Sequence, residues 1–168
     1  MNNELIELKA RIGNLEVMRK RVVGLRAAHV GTFRQIDTYF NSPKGRLKLR
    51  EGNDHEKAKL IYYLRANIAK PKRSQTILVA IQESEAFKTL FENLLGKKSV
   101  VDKIREIYMC EGTQIHLDTV EHLGMFIEFE RPITNAKKDR LVLEKLMNRL
   151  QIEEKDLIQG SYSDLLDS

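Results

Sequence analysis

Apolar and charged side chains alternate along the first strand-like segment of the chain, LIELKARI (residues 5–12). The even positions of this segment are apolar, whereas Glu7, Lys9 and Arg11 carry charges of both signs. Successive side chains of a β-strand point to opposite faces of the sheet, so the pattern predicts a strand with one charged face. For a single strand, the simplest interpretation is a solvated outer face over an apolar core.

The alternation returns along the whole chain, which makes the pattern informative. It recurs in segments 45–52, 60–67, 100–112, 113–124 and 125–133, and segments 34–41 and 76–81 are also strand-like. The helical segments between them are too few to cover both faces of a parallel sheet. We therefore predict an α+β fold with seven or eight mostly antiparallel strands.

Three helices are predicted between and after these strands. The first carries an apolar stripe from Leu15 to His29, with Asn14 as its N-cap. The second begins with Ser84 as its cap and ends at Gly96, and the third covers about 135–150. The segment SYSDLL near the end of the chain presents Tyr162, Leu165 and Leu166 for docking on the body of the protein.

Length and composition limit the class of protein. The chain has 168 residues, 42% of them hydrophobic, and fits a single domain over 1–168. A net charge of +5 suggests an anionic partner. No apolar run reaches the length needed to span a bilayer and no signal peptide is evident, so we expect a soluble, cytoplasmic protein. Cys110 is the only cysteine, which excludes an internal disulfide and a multi-cysteine zinc site.

The charged faces support two architectures: an open sheet with a solvated polar face, or a closed barrel with a charged lumen. The cations on these faces suit the many oxygens of a polyphosphate. They are Lys9, Arg11, Arg46, Lys48, Arg50, Arg65, Arg73, Lys103 and Arg105. A basic surface for nucleic acid is a third possibility, although few aromatic residues are interleaved with the cations.

The carboxylates of Glu7, Glu128 and Glu130 would repel a phosphate group that bound without a metal ion. They fit a hard divalent cation, Mg²⁺ or Mn²⁺, because such ions take oxygen ligands and bridge carboxylate to phosphate. Cations and carboxylates together suggest a site for a polyphosphate and a metal, in which positioning and charge neutralisation promote phosphoryl transfer.

The sequence resembles the CYTH superfamily, the triphosphate tunnel metalloenzymes that include class IV adenylyl cyclases and thiamine triphosphatases. The resemblance covers nearly the whole chain. Its matching stretches are IELKARI, QIDTYF with GRLKLRE, IYYLR with KRS, DKIREIY, HLDTVEHLGMFIEFE and SYSDLL. It implies an eight-stranded antiparallel closed tunnel with flanking helices, in which LIELKARI is the first tunnel strand.

The resemblance also implies roles for individual residues. Glu7 and Lys9 match catalytic positions, and Glu7, Glu128 and Glu130 match metal-binding carboxylates. Asp118 is expected near the metal or near a cationic partner. The matching phosphate-binding cations are Lys9, Arg11, Lys48, Arg50, Arg65, Arg73, Lys103 and Arg105, and the register of Arg73 depends on its loop.

One position departs from the family pattern. The opening motif of the family is Glu-x-Glu-x-Lys, whereas this chain has Leu5 two residues before Glu7. The loss of a carboxylate is expected to weaken or remove one metal site. A mechanism that needs two metal ions is therefore put in doubt. Glu4 does not replace it, because strand alternation points Glu4 to the opposite face.

The resemblance implies a metal-dependent enzyme that acts on inorganic triphosphate, thiamine triphosphate or a nucleoside triphosphate. Hydrolysis demands least of the site, since an adenylyl cyclase also needs a pocket for a base. The alternatives are that cyclase, which makes cyclic AMP and pyrophosphate from ATP, and a non-catalytic polyphosphate-binding module. His116 is interpreted either as a general base or as a residue that pairs with a neighbouring carboxylate or packs at a strand end. The oligomeric state is left open.

Overall fold

The computed structural model describes residues 2–53 and 57–167, and within these ranges eight strands close into an antiparallel barrel. The strands follow one another around the barrel in the order β1-β5-β4-β3-β2-β6-β7-β8. The predicted closed eight-stranded antiparallel barrel with flanking helices is therefore confirmed, and the open sheet is excluded.

The elements have the following bounds. The strands are β1 (Asn2–Ile12), β2 (Ala28–Phe40), β3 (Arg46–Gly52), β4 (Ala58–Arg65), β5 (Lys72–Ile81), β6 (Lys97–Cys110), β7 (Thr113–Val120) and β8 (Gly124–Pro132). The helices are α1 (Leu15–Gly24), α2 (Ser84–Leu95), α3 (Ala136–Arg149) and α4 (Tyr162–Leu166), and a 3-10 turn covers Glu154–Asp156.

The apolar faces of the strands build a core outside the barrel wall. Along β1, the even positions from Ile6 to Ile12 are buried in this core, together with Met18 and Val22 of α1. Leu143, Leu146 and Leu150, from α3 and its C-cap, pack against the same side. Since side chains alternate along a strand, this core sends the odd positions of β1 into the lumen.

The first helix is shorter than predicted. Asn14 is its N-cap, as expected, and accepts a hydrogen bond from the backbone N–H of Val17. The helix ends at Gly24 because Arg26 adopts a left-handed backbone conformation, with φ of 59°. His29 therefore lies in β2, where the helical stripe was expected to continue.

Two other predicted boundaries are corrected. β5 begins at Lys72, so the cationic segment that was interpreted as a loop is part of a strand. Glu83, rather than Ser84, is the N-cap of α2, whereas Gly96 ends the helix as predicted, with φ of 79°. The third helix is confirmed, with Asn135 as its N-cap.

The short helix α4 closes one end of the lumen. Tyr162 is 3% exposed and packs with Tyr39, Tyr63 and Phe126 in a cluster formed by inward-facing residues. Leu165 and Leu166 are packed against the same cluster, so the predicted docking of this segment is confirmed. No helix in the described ranges is long and apolar enough to cross a membrane.

Candidate functional site

The lumen holds a charged cavity of about 140 Å³. Among the described side chains, six cations and three carboxylates line this cavity. The cations are Lys9, Lys48, Arg50, Arg65, Lys103 and Arg105, and the carboxylates are Glu7, Glu128 and Glu130. All nine were predicted as site residues, and they come from strands far apart in sequence.

Asp37 organises the cations on one side of the cavity. Its carboxylate accepts hydrogen bonds from Lys48 Nζ at 2.7 Å, Lys103 Nζ at 2.8 Å and Arg50 Nε at 2.7 Å. Burial alone would raise the pKa of Asp37, but Arg50, Lys103 and Lys48 lower it well below its usual value. Asp37 is thus a fixed negative charge that holds neighbouring cations in place despite their mutual repulsion.

Arg105 is positioned by an acidic pair. Its Nε and Nη2 donate to the two carboxylate oxygens of Asp118 at 2.7 and 2.6 Å, and Nη2 also donates to Glu128 Oε2 at 2.9 Å. Tyr162 Oη donates to Asp118 Oδ2 at 2.7 Å. Asp118 was predicted to lie near either the metal or a cationic partner, and the structure places it beside the cation Arg105. It does not line the charged cavity.

Arg65 lines the cavity and has two donors without a hydrogen-bond partner in the described structure. One of its guanidinium nitrogens, Nη1, donates to Glu7 Oε1, whereas Nε and Nη2 are buried without a hydrogen-bond partner in the described structure. A buried N–H without an acceptor costs on the order of 1–3 kcal/mol. An anionic ligand in the cavity would remove this cost by accepting both hydrogen bonds.

The carboxylates differ in their surroundings. Burial raises the pKa of Glu7, Arg65 opposes this shift, and the charges of Glu128 and Glu130 add to it. Burial would also raise the pKa of Glu128, but Lys9, at 3.4 Å, and then His116 and Arg105 lower it well below its usual value. Glu128 is therefore ionised near neutral pH.

His116 joins Glu128 and Glu130 in a cluster that could hold a metal ion. One potential ligand atom from each of the three lies within 4.8 Å of those from the other two. His116 Nδ1 is buried without a hydrogen-bond partner in the described structure, and it lies 3.7 Å from Glu128 Oε2. This donor set fits a divalent cation. Glu7 and Asp118, both predicted as metal ligands, lie outside the cluster.

Three predicted phosphate contacts lie away from the charged cavity. Arg11 is exposed, donates to the Leu123 carbonyl at 2.6 Å and stacks on Phe126. Arg73 is exposed because it lies opposite Ile6 in the β1–β5 pairing and so points outward, whereas Lys72 and Ser74 point inward. Arg46 donates to Asp164 at 2.7 Å and so secures α4.

Lys72 is an inward-facing cation that sequence reasoning missed. It lies opposite Glu7 in the β1–β5 pairing, and its Nζ donates to the carbonyls of Ile68, Ile158 and Gln159. Burial, followed by the charge of Arg65, lowers the pKa of Lys72 to about 8. The register of β5 against β1 was the missing information, since it decides which of Lys72 and Arg73 faces the lumen.

A wider cavity of about 540 Å³ adjoins the charged one. Leu5, Arg50, Ile61, Leu78, Arg105 and Glu130 line both cavities. Leu5 faces the lumen as predicted, and Glu4 faces outward, where it accepts a hydrogen bond from Gln75. The departure from the family motif thus places an apolar side chain where the charged cavity meets the wider one.

Comparisons with known proteins agree with this architecture. The family model described as CYTH domain matches residues 3–162. The chain is 33% identical over 139 residues to "Putative adenylate cyclase MJ0240" of Methanocaldococcus jannaschii, covering 79% of this chain and 77% of that protein.

Solved structures have the same fold. The PH1012 protein of Pyrococcus horikoshii OT3 superposes with a TM-score of 0.89 at 27% identity, over 96% of this chain and 98% of that one. A structure from Vibrio parahaemolyticus, titled as a putative adenylate cyclase, superposes with a TM-score of 0.80 at 20% identity over the full length of both chains. The second likeness concerns the fold alone.

Proposed function

We propose that this chain, which belongs to the CYTH domain family, is a metal-dependent phosphohydrolase that cleaves a triphosphate bound in its barrel. The observation that carries the proposal is the pair of unused, buried donors of Arg65 in a cavity lined by cations. Guanidinium groups bind phosphate oxygens through two parallel hydrogen bonds, which is the geometry that Nε and Nη2 offer.

The other cations of the cavity neutralise the phosphate chain. Asp37 fixes Lys48, Arg50 and Lys103 before a ligand arrives, so that little reorganisation is needed on binding. Asp118 does the same for Arg105. Because these cations face the lumen, they suit a small polyanion and are out of reach of a nucleic-acid duplex.

Glu128, Glu130 and His116 are the residues that would hold a divalent cation. The bound ion would neutralise charge on the phosphates and make a bound water more acidic. Phosphoryl transfer needs mainly positioning and charge stabilisation, and the cations of this cavity supply both. Lys9, 3.4 Å from Glu128, is positioned to contact a phosphate beside the metal site.

An adenylyl cyclase is the second candidate, and the wider cavity supports it. Its wall includes the apolar side chains of Leu5, Phe33, Ile61, Leu78 and Ile107, which could hold a nucleoside base next to the phosphates. The relative that is 33% identical carries the name of an adenylate cyclase. Cyclisation of ATP would release pyrophosphate and cyclic AMP, whereas hydrolysis releases phosphate.

Product analysis tests the proposal. The purified protein is incubated with inorganic triphosphate, thiamine triphosphate or ATP, each with Mg²⁺ or Mn²⁺. We expect phosphate release that falls at least a hundredfold in Glu130→Gln and is unchanged in Glu4→Gln, a matched change on the outer face of β1. Cyclic AMP with pyrophosphate would replace the hydrolase by a cyclase. Ligand binding without any product would contradict both and leave a binding module.

A further inference from the structure

We propose that His116 is a metal ligand, so that His116 Nδ1, Glu128 and Glu130 form a mixed nitrogen and oxygen site that prefers Mn²⁺ or Co²⁺ to Mg²⁺. The inference rests on the proposed use of a divalent cation, but it concerns which atoms bind the ion and which ion they select. Sequence reasoning expected only carboxylates from Glu7, Asp118, Glu128 and Glu130.

The spacing of the three side chains suits a single ion. Two ligands of one cation, each about 2.1 Å from it, lie roughly 3 Å apart at right angles and about 4.2 Å apart on opposite sides. His116 Nδ1 and Glu128 Oε2 are 3.7 Å apart, within this range and too far apart for a hydrogen bond. Glu130 can rotate to complete the site, because no described residue pairs with its carboxylate.

The hydrogen bond at the other ring nitrogen indicates which atom of His116 is available. Nε2 lies 3.0 Å from Gln114 Oε1, so an N–H at Nε2 would donate to this amide oxygen and leave Nδ1 as the metal-binding atom. Nδ1 belongs to a residue that is 2% exposed, and it has no hydrogen-bond partner in the described part of the chain. A divalent cation between Nδ1 and the carboxylates would give each of them a partner.

Gln114 has the role that usually accompanies a histidine ligand. Histidines that bind metals donate their second ring N–H to an acceptor, which fixes the tautomer and the orientation of the ring. Gln114 lies two residues before His116 on the same face of β7, opposite Glu130 on β8. His116 itself lies opposite Glu128. Neighbouring strands of one closed sheet thus hold all the ligands and the orienting residue.

The other carboxylates near the cavity lie outside the cluster of His116, Glu128 and Glu130. Glu7 forms an ion pair with Arg65, and Asp118 binds both Arg105 and Tyr162. In β1, Leu5 stands where the family motif has a carboxylate, so this strand offers one oxygen ligand fewer. In β7, His116 offers a nitrogen ligand on the other side of Glu130. A bound ion would therefore be held by residues of β7 and β8, without a ligand from β1.

A nitrogen ligand changes the metal preference. Mg²⁺ takes oxygen ligands and retains its waters, whereas imidazole suits transition metals, whose affinity rises from Mn²⁺ through Co²⁺. We expect Mn²⁺ to bind at least tenfold more tightly than Mg²⁺. In His116→Gln, Mn²⁺ affinity should fall at least tenfold, and Mg²⁺ affinity should change less.

Electron paramagnetic resonance of Mn²⁺ bound to the unaltered protein tests the ligand directly. We expect a hyperfine coupling to one imidazole ¹⁴N, lost in His116→Gln and retained in His29→Gln, a matched control on the exposed part of β2. Because the coupling is measured on the unaltered protein, the result does not depend on how well a variant folds.

Two outcomes would overturn the inference: Mn²⁺ bound without nitrogen coupling, or no Mn²⁺ binding at millimolar metal. Phosphate release supported by Mg²⁺ with no nitrogen coupling would refute the histidine ligand and leave the proposed hydrolase standing. Nitrogen coupling without turnover of any triphosphate would support the ligand and refute the hydrolase.

Discussion

At the scale of single residues, burial changes the chemistry of the lumen cations. Lys48 is an example, since burial and then the neighbouring charge of Arg50 lower its pKa to about 8, although Asp37 opposes the shift. Below that pH the ammonium group is charged and attracts phosphate, and above it the amine is neutral. A bound polyanion stabilises the charged form and therefore raises the pKa.

We accordingly predict that triphosphate binding takes up protons near pH 8 and weakens as the pH rises from 7 to 9. Calorimetry in two buffers with different ionisation enthalpies measures this uptake. In Lys48→Arg the uptake should be smaller, because arginine stays charged throughout this range. Lys98→Arg, on the outer surface, serves as the control. Equal proton uptake in the unaltered protein and in Lys48→Arg would contradict the assignment.

At the scale of elements, ion pairs between neighbouring strands hold the site together. Arg105 of β6 and Asp118 of β7 are direct cross-strand partners, and Tyr162 of α4 donates to the same carboxylate. The pair thus connects the barrel wall to the helix that closes one end of the lumen. Breaking a buried pair by removing one partner typically costs about 3–5 kcal/mol.

We predict that Asp118→Asn lowers the free energy of unfolding by about 3 kcal/mol at pH 7. Burial opposes ionisation of Asp118, but Arg105 lowers its pKa to about 2. A depressed carboxyl pKa stabilises the fold above the ordinary value of about 3.9, and this contribution is lost as the pH falls toward 2. The difference between the unaltered protein and Asp118→Asn should therefore shrink in acid.

Urea unfolding at pH 7 and at pH 3 measures both effects. Asp102→Asn is the matched control, because Asp102 pairs with Arg34 at the surface, where ion pairs contribute about 1 kcal/mol or less. If Asp118→Asn were no more destabilising than Asp102→Asn at pH 7, the proposed role of this pair would be wrong.

At the scale of the whole molecule, sequence periodicity predicted the strands and most of the charged lining, whereas closure into a barrel was predicted from the family resemblance. A period of two is read directly from residues such as Glu7, Lys9, Lys48 and Arg50, so their common face was predictable. The orientation of Arg73 was not predictable, because its strand begins inside a cationic segment in which apolar and charged residues do not alternate. The environment of His116 depends on the pairing of β7 with β8, which no local pattern specifies.

The central claim is that a triphosphate binds inside the barrel, and one pair of substitutions separates the lumen from the outer wall. Arg65→Lys keeps the positive charge beside Glu7 but removes Nε and Nη2, the two donors that have no hydrogen-bond partner in the described structure. Arg73→Lys makes the same chemical change on the outer face of β5.

Calorimetric titration of inorganic triphosphate without a divalent cation, which prevents the proposed metal-dependent turnover, is the measurement. We expect affinity to fall at least tenfold in Arg65→Lys, because charge-assisted hydrogen bonds are each worth about 1.5–3 kcal/mol, and to remain unchanged in Arg73→Lys. Equal affinities for all three proteins, or a loss confined to Arg73→Lys, would contradict binding in the lumen.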